Sequence, residues 1–178
     1  MQEAFLSGGD FHAETAAKVF HVARADVTPE MRRRAKAVNF GIVYGISAFS
    51  LSQDIGSTVA EAKAYMDAYF ATFPGVRKYM DDVVEKAKET GYVETLFHRR
   101  RDLPELTSSN HNLRAFGERV ALNMPIQGTA ADIIKIAMIR VSSRLAREGL
   151  QGKLILQVHD ELIVECPPEE REQVERIL

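Results

Sequence analysis

The segment RRRAKAVNFGIVYGIS, Arg32 to Ser47, carries the pattern that decides how this sequence is interpreted. Just before it, the Thr28 hydroxyl can cap a helix and Pro29 suits the first helical turn, so we predict a helix from there to about Tyr44. Four side chains recur at every fourth position of that helix and form one gently winding stripe: Arg32, Lys36, Phe40 and Tyr44.

The order of side chains along this stripe suits a nucleoside triphosphate. Two cations come first and two aromatic rings follow, with a rise of about 6 Å per step. A bidentate guanidinium and an ammonium suit phosphates, and a ring suits the sugar and base. His12, on a preceding predicted helix, would add a phosphate donor, although a lone histidine is more often structural. An amphipathic helix with a basic face and an aromatic core anchor explains the stripe alone equally well.

The rest of the sequence predicts an α+β fold that is mainly helical. Apolar spacing and capping signals predict further helices over about 10–23, 59–70, 76–89, 112–123 and 129–149 and from 169 onward, and a short strand over 92–96. Pro125 is expected to break the helix that precedes it. Two β-rich runs, Lys153 to Val158 and Leu162 to Cys166, predict a hairpin whose turn carries ionisable residues.

Composition limits the possible partners and compartment. The 178 residues have a formal net charge of -2, so contact with nucleic acid must come from local basic clusters at 32–36 and 98–101. Cys166 is the only cysteine, which excludes an internal disulfide and fits a reducing, cytoplasmic location. Charged residues interrupt every apolar run before membrane-spanning length, so no membrane partner is expected.

Four segments of the chain resemble segments of family A DNA polymerases, and they occur in the same order as in that family. The segment Arg32 to Ser47 resembles the nucleotide-binding helix of the fingers, and QVHDELIVE, Gln157 to Glu165, resembles the palm motif that carries a metal-binding aspartate. GYVETLFHRRRDLPEL and ERVALNMPIQGTAADIIKIAMI resemble the connecting stretches. The resemblance implies fingers helices, mainly over residues 1–96, and part of the palm of a right-hand polymerase over 97–178, with an incomplete palm sheet.

The resemblance also implies roles for individual residues. Contacts with the incoming triphosphate are implied for Arg32, Lys36 and His12, with Lys36 also assisting pyrophosphate departure. Phe40 matches the ring against the deoxyribose, Tyr44 the ring at the base-pair site, and Asp160 a ligand of the catalytic magnesium. The implied DNA contacts are Arg114 on the template side, Arg119, Asn123 and Gln127 at the template-primer duplex, and His159 and Glu161 near the primer end.

The implied reaction is template-directed DNA synthesis by a monomer. The primer 3′-hydroxyl attacks the α-phosphate of a deoxynucleoside triphosphate in line, with two Mg²⁺ ions in the complete site. The second aspartate of the family lies on a palm strand upstream of the first helix here, so we expect this chain alone to be inactive and Met1 to be an internal methionine or a start created by truncation. Asp81 and Asp82 are expected to be surface residues rather than a substitute pair.

Two alternatives remain. A single-subunit RNA polymerase would share the helix and hairpin, but those enzymes tend to carry Met and Asp-Ser where this sequence has Phe40 and Asp160-Glu161. A non-catalytic module that binds nucleic acid or nucleotide would retain the same surface after loss of the catalytic strand.

Overall fold

The computed structural model describes residues 5, 6 and 8–178; Met1, interpreted above as an internal methionine, lies outside them. The helices are α1 (Phe11–Phe20), α2 (Pro29–Val43), α3 (Ala48–Ile55), α4 (Val59–Thr72), α5 (Pro74–Thr90), α6 (His111–Arg147) and α7 (Arg171–Ile177), and the strands are β1 (Tyr92–Glu94), β2 (Arg100–Asp102), β3 (Lys153–Val158) and β4 (Glu161–Glu165). Short 3₁₀ turns occupy Arg24–Asp26, Pro104–Thr107 and Pro168–Glu170. The predicted mainly helical α+β class is confirmed.

The chain divides into two compact units. The first contains the described residues up to Glu94 together with Arg100–Ile126, and the second contains Thr95–Arg99 together with Gln127–Leu178. The assignment of fingers and palm to residues 1–96 and 97–178 stays a prediction.

Local capping signals set the starts of the helices in the first unit. Asp10 caps α1 by accepting from the backbone N–H groups of His12 and Ala13, and Thr28 caps α2 by accepting from Met31. Thr58 and Glu61 form the predicted capping box at α4. Each cap satisfies backbone donors that a helix start leaves without partners, and for this reason these helix starts could be predicted from the sequence.

The main core of the first unit lies between α1, α2, α3 and α4. Its buried members are Val19, Val38, Ile42, Leu51, Ile55, Ala62, Tyr65, Tyr69 and Phe73. A smaller cluster of Ala87, Val93, Leu103, Leu106 and Ala121 joins α5, the β1–β2 hairpin and α6. The core therefore fixes the inner face of α2 and leaves its opposite face to solvent.

The second unit contains the hairpin of β3 and β4. The strands are antiparallel, Val158 pairs with Glu161, and a bulge lies between Leu154 and Leu156. Val141, Leu145 and Val174 form the buried cluster beside it. Several large apolar side chains of the hairpin stay exposed: Ile155, Leu156, Val158 and Ile163.

Three local expectations differ from the structure. Helix α6 runs through Pro125 instead of breaking there. The prediction placed no helix at α3 and no strand at β2, where the three residues are all exposed and pair only with β1. Asp81 and Asp82 are surface residues, as predicted, each paired with a basic side chain one turn earlier. Within residues 5, 6 and 8–178, no helix combines the length and apolar character that a membrane crossing needs.

Candidate functional site

The stripe predicted on α2 is exposed along its length. Phe40 and Tyr44 are 50% and 49% exposed, and Arg32 and Lys36 also face solvent. The opposite face of the helix is buried through Ala35, Val38, Asn39, Gly41 and Ile42. An aromatic ring serving as a core anchor would be buried, so the exposure of Phe40 disfavours that interpretation of the stripe.

Two side chains, His12 and Lys36, meet at the aromatic ring of Phe40. The His12 ring lies 5.6 Å from the Phe40 ring, centroid to centroid, and the Lys36 ammonium lies 5.9 Å from the same centroid. His12 reaches this position because α1 packs against α2. The structure therefore joins a histidine, a lysine and a phenylalanine that are separated by up to 28 positions in the sequence.

Asp10 holds Arg32 beside this cluster. Its Oδ2 accepts from Arg32 Nε at 2.6 Å, while its Oδ1 accepts from the backbone N–H of His12 at 3.1 Å. Hydrogen bonding to Arg32 is the main reason that the pKa of Asp10 is lowered from its ordinary value of 3.8. The two terminal nitrogens of the guanidinium take no part in this contact and are the ones that suit a phosphate.

The sequence prediction missed Asp10 and Asn39, whose side chains hydrogen-bond Arg32 and His12, respectively. Asp10 could have been found as an acidic N-cap directly before an apolar helical pattern. Asn39 could have been found as a polar residue on the buried face of α2, where it is 7% exposed. Its amide nitrogen lies 3.0 Å from His12 Nδ1.

The C-terminal end of α2 turns sharply beside a groove. Gly45 has a φ of +65°, and the Ile46 N–H donates to the Gly41 carbonyl at 2.8 Å, which is the bond pattern of a Schellman cap. The groove, of about 440 Å³, is lined by residues of α2, α3 and α6 that include Phe40, Tyr44, Asp54 and Arg119. Tyr44 and Arg119, assigned to the base pair and to the duplex, thus border one concave surface.

Two other predicted DNA contacts in the first unit are held by backbone carbonyls. Asn123 donates from Nδ2 to the Val43 carbonyl at 3.4 Å, near the end of the stripe helix. Arg114 donates from Nη1 to the Ser108 carbonyl at 2.9 Å, close to the start of α6. Asn123 therefore lies near the stripe.

The predicted metal ligand belongs to the second unit. His159 and Asp160 form the two-residue turn between β3 and β4, and both are exposed, as is Glu161 at the start of β4. His159 has a φ of +51°, in the left-handed region that non-glycine residues seldom adopt. Gln127, another predicted DNA contact, is an exposed residue of α6 in the same unit.

Asp160 alone does not make a complete metal site. Among residues 5, 6 and 8–178, no cluster of three or more His, Cys, Asp or Glu side chains could hold an ion. Magnesium usually keeps several waters and takes one or two carboxylates plus substrate phosphates, so one exposed carboxylate fits part of such a ligand set.

The second unit also contains a short loop fixed to α6. Arg99 contacts Asp132 Oδ1 at 2.5 Å and donates to the Gly128 carbonyl at 3.1 Å. The Leu96 N–H donates to Thr129 Oγ1 at 3.0 Å. The first arginine of the basic run is thereby engaged by the protein itself.

Comparison with known proteins gives one consistent relationship. The family model described as DNA polymerase family A matches residues 1–178. DNA polymerase I of Geobacillus stearothermophilus is 58% identical over 176 residues, and that of Bacillus subtilis is 57% identical over 176 residues; each alignment covers 99% of this chain and 20% of the relative. The chain thus spans about a fifth of the length of these relatives.

A solved structure supports the same family relationship. The POL domain of Pol1 from M. smegmatis, in complex with DNA primer-template and dNTP, superposes with a TM-score of 0.90 at 48% identity, covering 98% of this chain and 31% of that one. The family match over the whole chain, relatives at close to 60% identity and this fold similarity all lead to the same conclusion: the chain belongs to DNA polymerase family A.

Proposed function

We propose that this chain supplies the nucleotide-binding helix and part of the duplex-binding and metal-binding surface of a polymerase that carries out template-directed DNA synthesis. Family membership supports the reaction class. The solved relative contains a DNA primer-template and a dNTP, so those are the partners proposed here. The proposed enzyme is a cytoplasmic monomer.

The observation that carries the proposal is the exposed cluster on α2. Arg32 and Lys36 supply two cations one turn apart, and Phe40 supplies a half-exposed ring one turn further along. Because the ring is already contacted by Lys36 and His12, a bound ligand would meet all three groups at once. A triphosphate beside the cations would bring its sugar to the ring.

In this proposal the side chains have distinct tasks. Arg32 binds phosphate with the two guanidinium nitrogens that Asp10 leaves available, and His12 donates a hydrogen bond to the triphosphate. Lys36 neutralises charge on the phosphates and assists departure of pyrophosphate. Phe40 packs against the deoxyribose, and Tyr44 closes the base-pair site.

Asp160 is the proposed catalytic magnesium ligand of this chain. A carboxylate at an exposed turn is accessible to an ion that arrives with a triphosphate, and no described hydrogen bond or ion pair engages its oxygens. Bound magnesium supplies positive charge that stabilises the oxygens reacting at the α-phosphate. His159 and Glu161 flank this carboxylate and are proposed to lie near the primer end.

The remaining proposed contacts are to the template-primer duplex. Arg119, Asn123 and Gln127 follow one another at four-residue spacing in α6, and Arg119 and Asn123, both in the first unit, occupy neighbouring positions of one helix face. Arg114 lies about one turn before Arg119 and is proposed to contact the template. Phosphate contacts by arginine give affinity without sequence preference, which suits a polymerase.

The decisive experiment compares Lys36→Ala with Lys63→Ala in the whole polymerase domain that contains this chain. Lys63 is an exposed helical lysine paired with Asp67, so its loss controls for the change of net charge. We expect Lys36→Ala to slow single-nucleotide incorporation by about a hundredfold, as removal of one charge-stabilising group does, and to leave primer-template affinity nearly unchanged. Equal losses in incorporation and in DNA affinity would contradict the assigned role. An inactive unsubstituted domain that still binds DNA or dNTP would favour the non-catalytic module.

A further inference from the structure

A buried polar network lies behind the exposed stripe. Thr15 of α1 is fully buried and Asn39 of α2 is 7% exposed, and both lie where the two helices pack. Polar groups in such a place destabilise the fold unless their hydrogen bonds are made. The two side chains are hydrogen-bonded to each other, and Asn39 also forms a hydrogen bond with the His12 ring. The network thus connects the core to the proposed nucleotide surface.

The hydroxyl of Thr15 determines the orientation of the Asn39 amide. Its single proton is donated to the Phe11 carbonyl at 2.9 Å. The hydroxyl oxygen can therefore only accept from Asn39, and the Asn39 Nδ2 lies 3.2 Å from it, closer than the Oδ1 at 3.4 Å. The amide must turn its NH₂ group toward Thr15, because the reverse orientation would face one acceptor with another.

The orientation of the Asn39 amide then determines which ring nitrogen of neutral His12 carries the proton. Asn39 Nδ2 carries two protons, one for Thr15 and one for the His12 Nδ1 at 3.0 Å. A ring nitrogen that accepts a hydrogen bond cannot carry a proton, so the proton of the neutral ring lies on Nε2. No described side chain or carbonyl takes up that Nε2–H.

The charged groups around His12 also favour its neutral form. Burial is the largest cause of the lowered pKa of His12, and the cations of Arg32 and Lys36 lower the pKa further, while Asp10 opposes them. These three charged side chains, from the start of α1 and from α2, are the ones that act on the ring. The imidazole thus contributes a directional donor beside two cations, without adding a third charge.

We propose that Asn39 is a positioning residue that holds His12 in the tautomer with its proton on Nε2, so that a neutral N–H donor faces the triphosphate site. Thr15 supports it by fixing the amide orientation. The inference rests on the proposed function for the identity of the acceptor, a phosphate oxygen. The tautomer itself is a property of the free chain and is measured without nucleotide.

The first measurement needs no substitution. Long-range ¹H–¹⁵N correlation spectra of the ¹⁵N-labelled chain distinguish a protonated from an unprotonated ring nitrogen for each histidine. We expect His12 to show a protonated Nε2 and an unprotonated Nδ1 at pH 7.5. A His12 signal with the proton on Nδ1, or an even mixture of both forms, would overturn the proposal whatever the protein does with nucleotides.

Variants then test the network. Asn39→Asp places a carboxylate against Nδ1, so we expect the proton to move to Nδ1 and the pKa of His12 to rise. Thr15→Val removes the acceptor that orients the amide, so we expect a mixture of tautomers. Asn112→Asp makes the same chemical change at an exposed position of α6 and should leave His12 unaltered. The other four histidines report whether each variant is folded. A folded Asn39→Asp variant with an unchanged His12 tautomer would contradict the proposal.

Addition of dGTP without metal separates this inference from the proposed function. We expect the His12 Nε2 signal to shift in the unsubstituted chain and to shift much less in Asn39→Asp. If the tautomer and the variants behave as expected but dGTP moves no His12 signal, Asn39 still positions His12 and it is the triphosphate role that fails. If dGTP shifts His12 equally in both proteins, the positioning role fails and nucleotide binding stands.

Discussion

Substitution of Gly41 by alanine tests the packing at the C-terminal end of α2, the helix proposed to bind nucleotide. In most helices this change is stabilising by about 1 kcal/mol, because alanine loses less backbone entropy than glycine. Here the new Cβ would lie 2.6 Å from Ile46 Cγ2 and 3.2 Å from both Ile46 Cβ and Cδ1. Carbon atoms do not approach to 2.6 Å, so Ile46 must move.

Ile46 has little freedom to move. Its Cγ2 is attached directly to Cβ, and its backbone N–H is fixed by the 2.8 Å bond to the Gly41 carbonyl. Overpacking of this kind costs about 1–3 kcal/mol, which exceeds the propensity gain. We therefore expect Gly41→Ala to lower the free energy of unfolding by about 1 kcal/mol.

Gly75→Ala provides the matched control. Gly75 lies in the first turn of α5, and apart from its chain neighbours and the adjacent helix backbone no atom lies within 4 Å of the Cβ that alanine would add, so the same change meets no obstacle there. We expect that variant to be as stable as the unsubstituted chain or up to about 1 kcal/mol more stable. Gly41→Ala should therefore be less stable than Gly75→Ala, although both replace a helical glycine by alanine.

The assay is urea denaturation followed by the helical circular dichroism signal. A change of about 1 kcal/mol moves the midpoint by roughly 0.3–1 M for slopes of about 1–3 kcal/mol/M. Ile46→Ala removes Cγ2 and Cδ1, so a double-mutant cycle should show that Gly41→Ala is less harmful in that background, by about 1 kcal/mol. A Gly41→Ala variant as stable as Gly75→Ala, or a cycle with additive effects, would refute the packing argument.

Two further predictions concern the carboxylates that hold basic side chains. Asp10→Ala should lower the free energy of unfolding by about 1–2 kcal/mol, because it removes both a helix cap and an ion pair. Asp10→Asn keeps the cap and should lower the free energy of unfolding by less in the same urea assay. Since pairing with Arg32 lowers the pKa of Asp10, the stabilising contribution of this carboxylate is complete above about pH 4 and is lost as the pH falls through the lowered value. Asp10→Ala should therefore make the free energy of unfolding less sensitive to acid. If the unsubstituted chain and Asp10→Ala lose stability identically in acid, the pairing with Arg32 is contradicted. Arg99→Ala should destabilise the second unit by about 1–2 kcal/mol, because it removes the cation that pairs with the Asp132 carboxylate. That carboxylate is only 9% exposed, and one of its oxygens already has no hydrogen bond. Arg99→Ala combined with Asp132→Ala should recover part of that loss, and a double variant as unstable as the sum of the single variants would argue that the two residues act independently.

The helix that carries the stripe was predictable because its determinants are local. Thr28 and Pro29 mark its start, and the four-residue spacing of the stripe follows from helix geometry alone. The same holds for the capping box at Thr58 and for the hairpin of β3 and β4. In each case the residues that decide the structure lie within a few positions of one another.

Pro125 shows where a local rule fails. Proline removes one helical hydrogen bond, which predicts a break. Yet Ala121, four residues earlier, is fully buried, and Thr129 and Asp132, beyond the proline, bond to the loop at 95–99. Tertiary contacts on both sides of Pro125 thus outweigh the lost bond, and no short stretch of sequence contains those contacts.

By itself the sequence determined the family resemblance, the mainly helical fold and the four-residue spacing of the stripe, because motifs, caps and residue spacing can all be read along the chain. The tertiary structure alone decided which distant groups meet: Asp10 with Arg32, and Asn39 with His12. Such pairs depend on how helices and strands pack in three dimensions, where separation along the chain no longer indicates distance. For that reason the residues proposed to bind nucleotide could be predicted from the sequence, whereas the contacts that hold Arg32 and His12 in place could not.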